Sequence, residues 1–349
     1  MSETTNAREL SAVVRLGPET ATPALSTALE TGALFARADA GVLEVTGPGA
    51  VSCLQGLLTN DLEKPGDGAF VYGALLTPKG MIVVDGWAAR DGTTVSYTVP
   101  AVGRAAALAI FTRSIPPRLA RTSDRTAETT VFRLAGPQAL AKAQSAGVAV
   151  PAGPNRSIHA MVGAASCSVA RTGDRGPFAL QIAAPGPAAA TVAQQLAAAG
   201  VLQVGPEGLE WARILAGWPR LGVEIDEKTI PQEVHLDELG GVSYTKGCYT
   251  GQETVSRLHF RGHVNRHLRG LLFEAEPALD ASGVFQEGRE GGRVTSVAWV
   301  PEPRVAGGGR WIGLAMLRRE VEDGATVRAA EREARVVELP FALPFTAPA

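Results

Sequence analysis

The segment of this chain with the most chemical potential is residues 246–253, which read KGCYTGQE. Cys248 lies between two glycines, and glycine backbone allows close approach by a partner because it carries no Cβ. Lys246 could stabilise the thiolate, which is the form in which cysteine attacks or binds metal. The segment also supplies an aromatic ring, an amide and a carboxylate, from Tyr249, Gln252 and Glu253. The pattern predicts a reactive thiol; the alternative is a small buried residue in a glycine-rich turn.

The other two cysteines, Cys53 and Cys167, lie far from Cys248 in the sequence and in no CxxC or CxxH spacing. An odd, scattered set argues against a disulfide framework and against a zinc site. One chain with three cysteines also cannot supply the four thiolates of an ordinary iron–sulfur cluster. Cys53 lies in an apolar helical pattern and Cys167 in a strand-like one, so both are predicted to be structural.

The stretch 254–270 is basic and contains no acidic residue. It carries four arginines and three histidines: Arg257, Arg261, Arg266, Arg269, His259, His263 and His267. Histidines four apart could bind a metal on one helix face, but a glycine at 262 interrupts them and the neighbourhood looks strand-like. The remaining interpretations are a strip that binds an anion, such as polyglutamate, phosphate or an RNA backbone, and an ordinary solvated face. Arg257 and Arg261 are expected to steer an anionic ligand or partner.

Several polar residues in apolar surroundings are candidates for the wall of a ligand cleft. Asn60 and Asp61 follow a predicted helix, where the alternative role is a helix cap and turn. Asp85 lies within an apolar strand and Glu224 follows another apolar stretch, so both are expected to be buried and paired. Trp211 and Arg213, on a later predicted helix, complete the set of expected cleft residues.

Composition limits the classes of protein. The chain has 349 residues, 45% of them hydrophobic and 19% charged, which predicts two or three folded domains rather than disorder. The formal net charge of −2 excludes a globally basic nucleic-acid coat, so any polyanion site must be local. The polar start of the chain is no signal peptide, and no apolar run approaches 18 residues. We therefore predict a soluble cytoplasmic protein without a membrane segment.

The elements that position these residues follow a repeated pattern. A strand, a Gly-Pro pair and a helix occur in sequence at 42–58 and 131–147, and more weakly at 178–200, which predicts repeated α+β units. Asp91-Gly92 predicts a hairpin. The polar stretch 123–130 is predicted to be a linker. From Arg266 onward, short alternating strands at 268–274, 293–300, 311–317 and 325–338 predict a small antiparallel barrel.

These segments together resemble the YgfZ family, which is related to the glycine-cleavage T protein, an aminomethyltransferase. The resemblance rests on KGCYTGQE followed by Phe260-Arg261-Gly262. Supporting segments occur in the family's order at 55–61, 77–80, 213–219 and 230–233, so the resemblance spans roughly residues 30–340. It implies an α+β fold of two ferredoxin-like modules and a C-terminal antiparallel β-barrel around a central opening. The implied division is a loose N-terminal arm (1–20), a discontinuous first module (21–125 plus 205–255), a second module (126–204) and the barrel (256–349).

The resemblance also implies a function. Family members bind folate and support iron–sulfur enzymes, including those that methylthiolate tRNA, so tetrahydrofolate is the expected ligand and Cys248 the expected functional thiol. A cluster would be held only transiently, with Cys248 as one ligand and the rest from an iron–sulfur assembly protein, a client enzyme or glutathione. The alternative is a tetrahydrofolate-dependent aminomethyl or methyl transferase, and a third interpretation is direct RNA binding. Where the T-protein pattern has a pterin-binding glutamate, this chain has Leu215. By the same comparison, Ala40 and Leu209 stand where a bacterial member has tryptophans in its folate cleft.

Overall fold

The computed structural model describes residues 13–301 and 308–341. Its helices, numbered in chain order, are α1 (Pro23–Glu30), α2 (Ala50–Gln55), α3 (Arg104–Ser114), α4 (Ala139–Ser145), α5 (Ala189–Ala198), α6 (Pro206–Leu215) and α7 (Gln252–Arg261). No helix in these two ranges is long and apolar enough to cross a membrane.

The strands, in chain order, are β1 (Val14–Leu16), β2 (Leu34–Arg37), β3 (Ala40–Thr46), β4 (Phe70–Leu76), β5 (Ile82–Asp91), β6 (Thr94–Pro100), β7 (Arg121–Asp124), β8 (Thr129–Ala135), β9 (Arg156–Val162), β10 (Ala165–Arg171), β11 (Leu180–Pro185), β12 (Leu202–Gln203), β13 (Arg266–Phe273), β14 (Gly283–Gln286), β15 (Arg289–Pro301), β16 (Gly309–Arg318), β17 (Thr326–Ala329) and β18 (Arg332–Val337).

Three sheets organise the chain. The first is antiparallel, in the order β4-β5-β6-β3-β7, and the second has the order β12-β2-β8-β11-β10-β9 with only its β12–β2 pair parallel. The third runs β15-β14-β17-β18-β13-β16 and closes through β15–β16 pairing into a six-stranded antiparallel barrel, with β1 added in parallel to β15. The predicted α+β fold with a C-terminal antiparallel barrel is therefore confirmed.

Local sequence signals explain many element boundaries. Thr22 caps α1, its hydroxyl accepting from the Leu25 amide at 3.2 Å, and Pro23 presets the first helical φ. Helices follow the Gly-Pro pairs of the repeated pattern, and the hairpin at Asp91-Gly92 joins β5 to β6. The expected strands after residue 266 are present as β13 and β15–β18.

The structure differs from the sequence predictions in three places. The basic stretch expected to be strand-like begins with α7, which Gly262 ends. The stretch expected to be a linker, 123–130, includes the ends of β7 and β8, because backbone pairing with β3 and β11 outweighs its polar composition. Within the expected loose arm, Val14–Leu16 form a strand, and residues 1–12 lie outside the described part of the chain.

Each sheet has its own apolar core, and a further cluster of buried residues lies where the three meet. This central cluster joins Trp87 of the first sheet, Phe178 beside the second, Trp211 of α6 and Ile312 of the barrel. Residues of all three sheets therefore pack against one another in this central cluster.

Candidate functional site

The central cavity has a volume of about 520 Å³. It is bounded by the first and second sheets, by α6 and by strand β1. Its polar interior includes Asp85 from β5 and Arg133 from β8, and its apolar wall includes Phe178, Trp218 and Leu16. A volume of this size, with a few polar groups among aromatic rings, is typical of a site for a small molecule or cofactor.

Asp85 is the most unusual residue of the cavity. Its side chain is 5% exposed, and Oδ2 accepts a hydrogen bond of 2.9 Å from the Tyr72 hydroxyl. Oδ1 is buried with no hydrogen-bond partner in the described residues. Burial raises the pKa of Asp85, since an apolar environment disfavours the charged form. The expectation of a buried, paired carboxylate therefore holds for Oδ2, whereas Oδ1 is buried without a partner among the described residues.

Arg133 supplies a cation to the same cavity. Its Nε donates to Gln181 Oε1 at 3.2 Å, and the guanidinium carbon lies 4.4 Å from the centre of the Phe178 ring. Burial lowers the pKa of Arg133 to about 10, so the group is still a cation at neutral pH. Sequence reasoning missed Arg133, although a single arginine inside the apolar run Val131–Ala135 is the same signal that pointed to Asp85.

The aromatic side chains of Trp87, Trp218 and Phe178 line the cavity, and Tyr72, which is not part of the lining, packs against Trp218. The rings of Trp87 and Trp218 are stacked with centroids 5.9 Å apart, Tyr72 lies 4.7 Å from Trp218, and Phe178 lies 5.2 Å from Trp87. Flat apolar walls beside a carboxylate with a free acceptor fit a planar heterocycle that carries N–H donors on one edge. A pterin has that form, so the residues present fit a folate.

A second cavity, of about 630 Å³, shares Trp87 and Trp218 with the first and is lined by Asn60, Asp61 and Ser243. Asn60 Nδ2 donates to the Tyr72 and Gly240 carbonyls, at 2.7 Å each. Both predicted cleft residues at 60–61 thus line a cavity, but not the one that holds Asp85.

Asp61 has a local structural role within that second cavity. Its Oδ1 accepts from Gln55 Nε2 at 2.9 Å and from the amides of Glu63 and Lys64. Burial acts to raise the pKa of Asp61, but these hydrogen bonds outweigh it and the pKa is lowered. The side chain therefore stabilises the turn after α2 as an ionised carboxylate.

Glu224 and Arg213 form hydrogen bonds with each other and with neighbouring residues. Glu224 accepts from Arg213 at 3.2 Å, from the Ser296 hydroxyl at 2.7 Å and from the Arg220 amide at 3.0 Å. Arg213 also donates to Glu210 and to the Trp218 carbonyl. The pair joins α6 to the barrel through Ser296, and Arg213 also lines the central cavity, so the ligand roles of Glu224 and Arg213 stay predictions.

Trp211, another predicted cleft residue, is 1% exposed and is not among the residues that line the central cavity. Its indole nitrogen has no hydrogen-bond partner in the described residues. Leu215, four residues later on α6, is 8% exposed and packs in the central apolar cluster. Position 215 therefore supplies no carboxylate to the site, and Asp85 cannot be assisted by one there.

Lys246 holds the loop that carries Cys248. Its ammonium donates three hydrogen bonds of 2.7 Å to the carbonyls of Gln55, Leu58 and Asn60, at the C-terminal end of α2 and the turn beyond it. Burial lowers the pKa of Lys246 to about 8. All three N–H groups are used in this way, so Lys246 has none left for the Cys248 sulfur, and its role here is to position the loop.

Cys248 itself is exposed, whereas Cys167 is buried and Cys53 is partly buried against the core of the first sheet. Tyr249 turns inward, 6% exposed, with the Lys246 ammonium 5.3 Å from its ring centre. The reversal at Gly251, with φ of +82°, leads directly into α7. The thiol is therefore accessible and lies on a loop anchored on both sides.

The predicted site residues that follow this loop lie on α7. Gln252 begins the helix, while Glu253, Arg257 and Arg261 are exposed on its surface. His259 stacks on Tyr244 with ring centroids 3.6 Å apart, and His267 lies apart on β13. No group of three or more metal-binding side chains occurs in the described residues, so the histidines form no metal site there. Anion binding by the arginines stays a prediction.

Comparison with known proteins gives the family. A model of the GCVT N-terminal domain matches residues 26–241. The chain is 31% identical over 319 residues to an aminomethyltransferase of Rubrobacter xylanophilus, a match that covers 88% of this chain and 82% of that protein. It is 33% identical over 131 residues to the tRNA-modifying protein YgfZ of Aliivibrio fischeri, covering 36% of this chain and 39% of the relative.

The solved structure of glycine cleavage system aminomethyltransferase T from Bartonella henselae has the same fold. Its TM-score is 0.77 at 21% identity, with 91% of this chain and 88% of that chain covered. The family model covers more than half of the chain, and the match to the Rubrobacter protein extends over most of both sequences. The chain therefore belongs to the GCVT family and is a YgfZ-like protein related to the glycine-cleavage T protein.

Proposed function

We propose that this chain is a folate-binding accessory protein for iron–sulfur cluster assembly or repair, with Cys248 as its functional group. One observation carries the folate part of the proposal: the buried Asp85 oxygen that lacks a partner in a cavity with aromatic walls. Leaving such a group unsatisfied costs free energy, and a ligand with ring N–H donors removes that cost.

In this proposal each cavity residue has a defined task. Asp85 accepts hydrogen bonds from the ring donors, Tyr72 holds Asp85 in place, and Trp218 packs against the ring. Tetrahydrofolate supplies one-carbon chemistry when bound. The residues of this chain bind and orient it and exclude water from the site.

The Cys248 part of the proposal rests on accessibility and on the relatives. The thiol is exposed on an anchored loop, and a relative with partial similarity is described as a tRNA-modifying protein. A single thiolate is one cluster ligand, so an iron–sulfur assembly protein, a client enzyme or glutathione supplies the others. We place this activity in the cytoplasm, where such clients would include tRNA-methylthiolating enzymes.

Direct binding tests the folate part. We expect Asp85→Asn to raise the Kd for tetrahydrofolate at least tenfold, since an amide replaces the acceptor oxygen pair. Asp91→Asn, at the exposed end of the same strand, is the matched control and should bind as the unaltered protein does. Anaerobic calorimetry measures both, and equal affinity of the two variants would reject Asp85 as the ligand-binding carboxylate.

Complementation tests the thiol. In cells that lack the native copy, Cys248→Ser should fail to restore the activity of iron–sulfur enzymes, while Cys53→Ser should restore it. Full rescue by Cys248→Ser would eliminate the proposed role. Anaerobic reconstitution with iron and sulfide, with and without tetrahydrofolate, shows whether Cys248→Ala loses a cluster that the unaltered chain retains.

A second candidate is a tetrahydrofolate-dependent aminomethyl or methyl transferase, which similarity over 82% of an aminomethyltransferase favours. Leu215 weighs against it because the T-protein pattern has a glutamate there. Transfer of a one-carbon unit from a lipoyl-bound aminomethyl group or from sarcosine to tetrahydrofolate distinguishes the two. Turnover that Asp85→Asn abolishes and Cys248→Ser leaves intact would favour the transferase.

A further inference from the structure

The central cavity is lined by an acidic and a basic side chain that attract each other without direct contact. Asp85 and Arg133 both line it, yet no ion pair joins these two side chains. Apart from the Nε bond to Gln181, no hydrogen bond or ion pair connects the Arg133 guanidinium to the part of the chain that the structure describes.

Neighbouring side chains hold these two groups in place. Gln181 accepts from Arg133 and donates through Nε2 to the Thr98 hydroxyl at 3.3 Å, a relay that crosses from the second sheet to the first. Phe178 supports the flat face of the guanidinium. Tyr72 holds Asp85 on the first sheet, and Gln181 holds Arg133 on the second sheet.

The other charged groups of the cavity have partners or lie at its rim. Glu210 accepts from Arg213 at 3.0 Å and from Arg220 at 3.1 Å. Arg37, Asp39 and Glu207 are exposed to solvent. Among the charged groups of the described cavity that are not exposed at its rim, those without a hydrogen-bond partner are therefore Oδ1 of Asp85, which is buried, and the terminal N–H groups of Arg133.

A ligand that satisfies both groups must present a donor beside an acceptor. We propose that Arg133 is a specificity-determining residue that binds the 4-oxo oxygen of a pteridine whose neighbouring ring N–H and 2-amino donors are held by Asp85. This inference rests on the proposed folate function and names the chemical edge that the site recognises. A ring with an amino group at position 4 places a donor against the guanidinium donors and has no hydrogen on N3, so it loses this hydrogen bond and the ring N–H donated to Asp85.

The test compares two ligands that differ in the group at position 4 and in the hydrogen on N3. Tetrahydrofolate and its 4-amino-4-deoxy counterpart are titrated anaerobically into the full chain, into Arg133→Met and into Arg133→Lys. We expect the unaltered chain to prefer the 4-oxo ligand by about 10- to 100-fold, the range for the hydrogen bonds that are lost. Arg133→Met should reduce the preference to the part that comes from the ring N–H at Asp85, and Arg133→Lys, which keeps a donor, should restore some of what is lost.

A ligand without the glutamate tail separates ring recognition from tail recognition. With 6-methyltetrahydropterin, Arg133→Met should weaken binding by the same factor as with tetrahydrofolate. A loss confined to the ligand with the tail would overturn the inference, because Arg133 would then bind a tail carboxylate.

The remaining outcomes are also decisive. An unchanged preference in Arg133→Met, or no preference in the unaltered chain, overturns the inference while the proposed folate function survives. Failure of the unaltered chain to bind either ligand overturns the proposed folate function and the inference with it. Matching thermal midpoints for the two Arg133 variants confirm that each is folded.

Discussion

Two buried carboxylates, Glu224 and Asp85, each share a site with an arginine, and the two sites are satisfied to opposite degrees. Glu224 receives hydrogen bonds from Arg213, Ser296 and a backbone amide, and its side chain is 0% exposed. Asp85 receives one hydrogen bond, from Tyr72, and its other oxygen has no partner among the described residues.

The difference shows how the same residue types serve two purposes at one junction. A buried charge with every hydrogen bond made holds elements together, and here it joins α6 to the barrel. A buried charge left partly unsatisfied lowers the stability of the empty protein and favours a ligand that completes it. The comparison predicts opposite consequences for similar substitutions at the two sites.

The largest effect is expected at Arg213. Arg213→Met leaves Glu224 buried without its guanidinium partner and should lower the free energy of unfolding by about 3–5 kcal/mol. Denaturant unfolding followed by tryptophan fluorescence measures the change. Arg328→Met, in the exposed pair with Glu331, is the control and should cost under about 1 kcal/mol. Similar losses for both variants would show that the buried pair is no more important than a surface pair.

Lys246, in the loop that carries Cys248, is a further buried cation. All three of its N–H groups donate hydrogen bonds. Lys246→Met removes three hydrogen bonds to carbonyls near α2 and should destabilise the protein by about 2–3 kcal/mol. Faster amide exchange around residues 246–251, measured by mass spectrometry, should accompany the loss. The exposed Lys64→Met serves as control, and unchanged exchange in the Lys246 variant would contradict the positioning role.

Substitution of Asp85 should raise the stability of the empty protein, whereas substitution of Arg213 or Lys246 should lower it. Because the folded pKa of Asp85 is raised, its contribution to stability is fully present below the unfolded pKa and is lost as pH rises through the folded value. Asp85→Asn keeps an acceptor for Tyr72 and does not titrate, so it should be more stable than the unaltered chain at pH 7, by about 1 kcal/mol. Unfolding measured from acid to neutral pH should show this difference growing with pH. A variant less stable at pH 7 would mean that the ionised carboxylate helps to hold the empty fold.

The smallest effect is expected at Arg133. Arg133→Met removes a guanidinium with one side-chain hydrogen bond, so the change in unfolding free energy should be under about 1 kcal/mol. The same substitution at Arg213 is the direct comparison. A loss at Arg133 as large as that at Arg213 would show that both arginines hold the fold and would remove the contrast between the two sites.

Much of the fold was predictable because its signals are local. Pro23 after Thr22, the repeated Gly-Pro pairs and Asp91-Gly92 each fix backbone dihedrals within a few residues. The start of α7 was not predictable in this way, since Gly262 interrupts the helical spacing of its histidines and the strands of the barrel follow closely. Strand β7 was missed for a related reason: its polar residues are held by pairing with β3, which lies about 80 residues earlier in the chain.

The candidate site was predictable only in part. Asp85 was identified because a charge in an apolar strand is costly and so needs an explanation. The same reasoning gave Glu224, and only the contacts show that Ser296 and Arg213 satisfy it. Lys246 was selected for its closeness to Cys248 in sequence, yet its ammonium points to the end of α2.

By itself, the sequence determined the α+β class, the barrel after residue 266 and the family, because each depends on residue type and short spacing, whereas the role of the Cys248 thiol stays a prediction. The tertiary structure alone decided which buried charges are paired. Pairing depends on side chains that approach from different sheets and helices, often more than 70 residues apart, and a distance between such atoms is set by packing rather than by any local pattern.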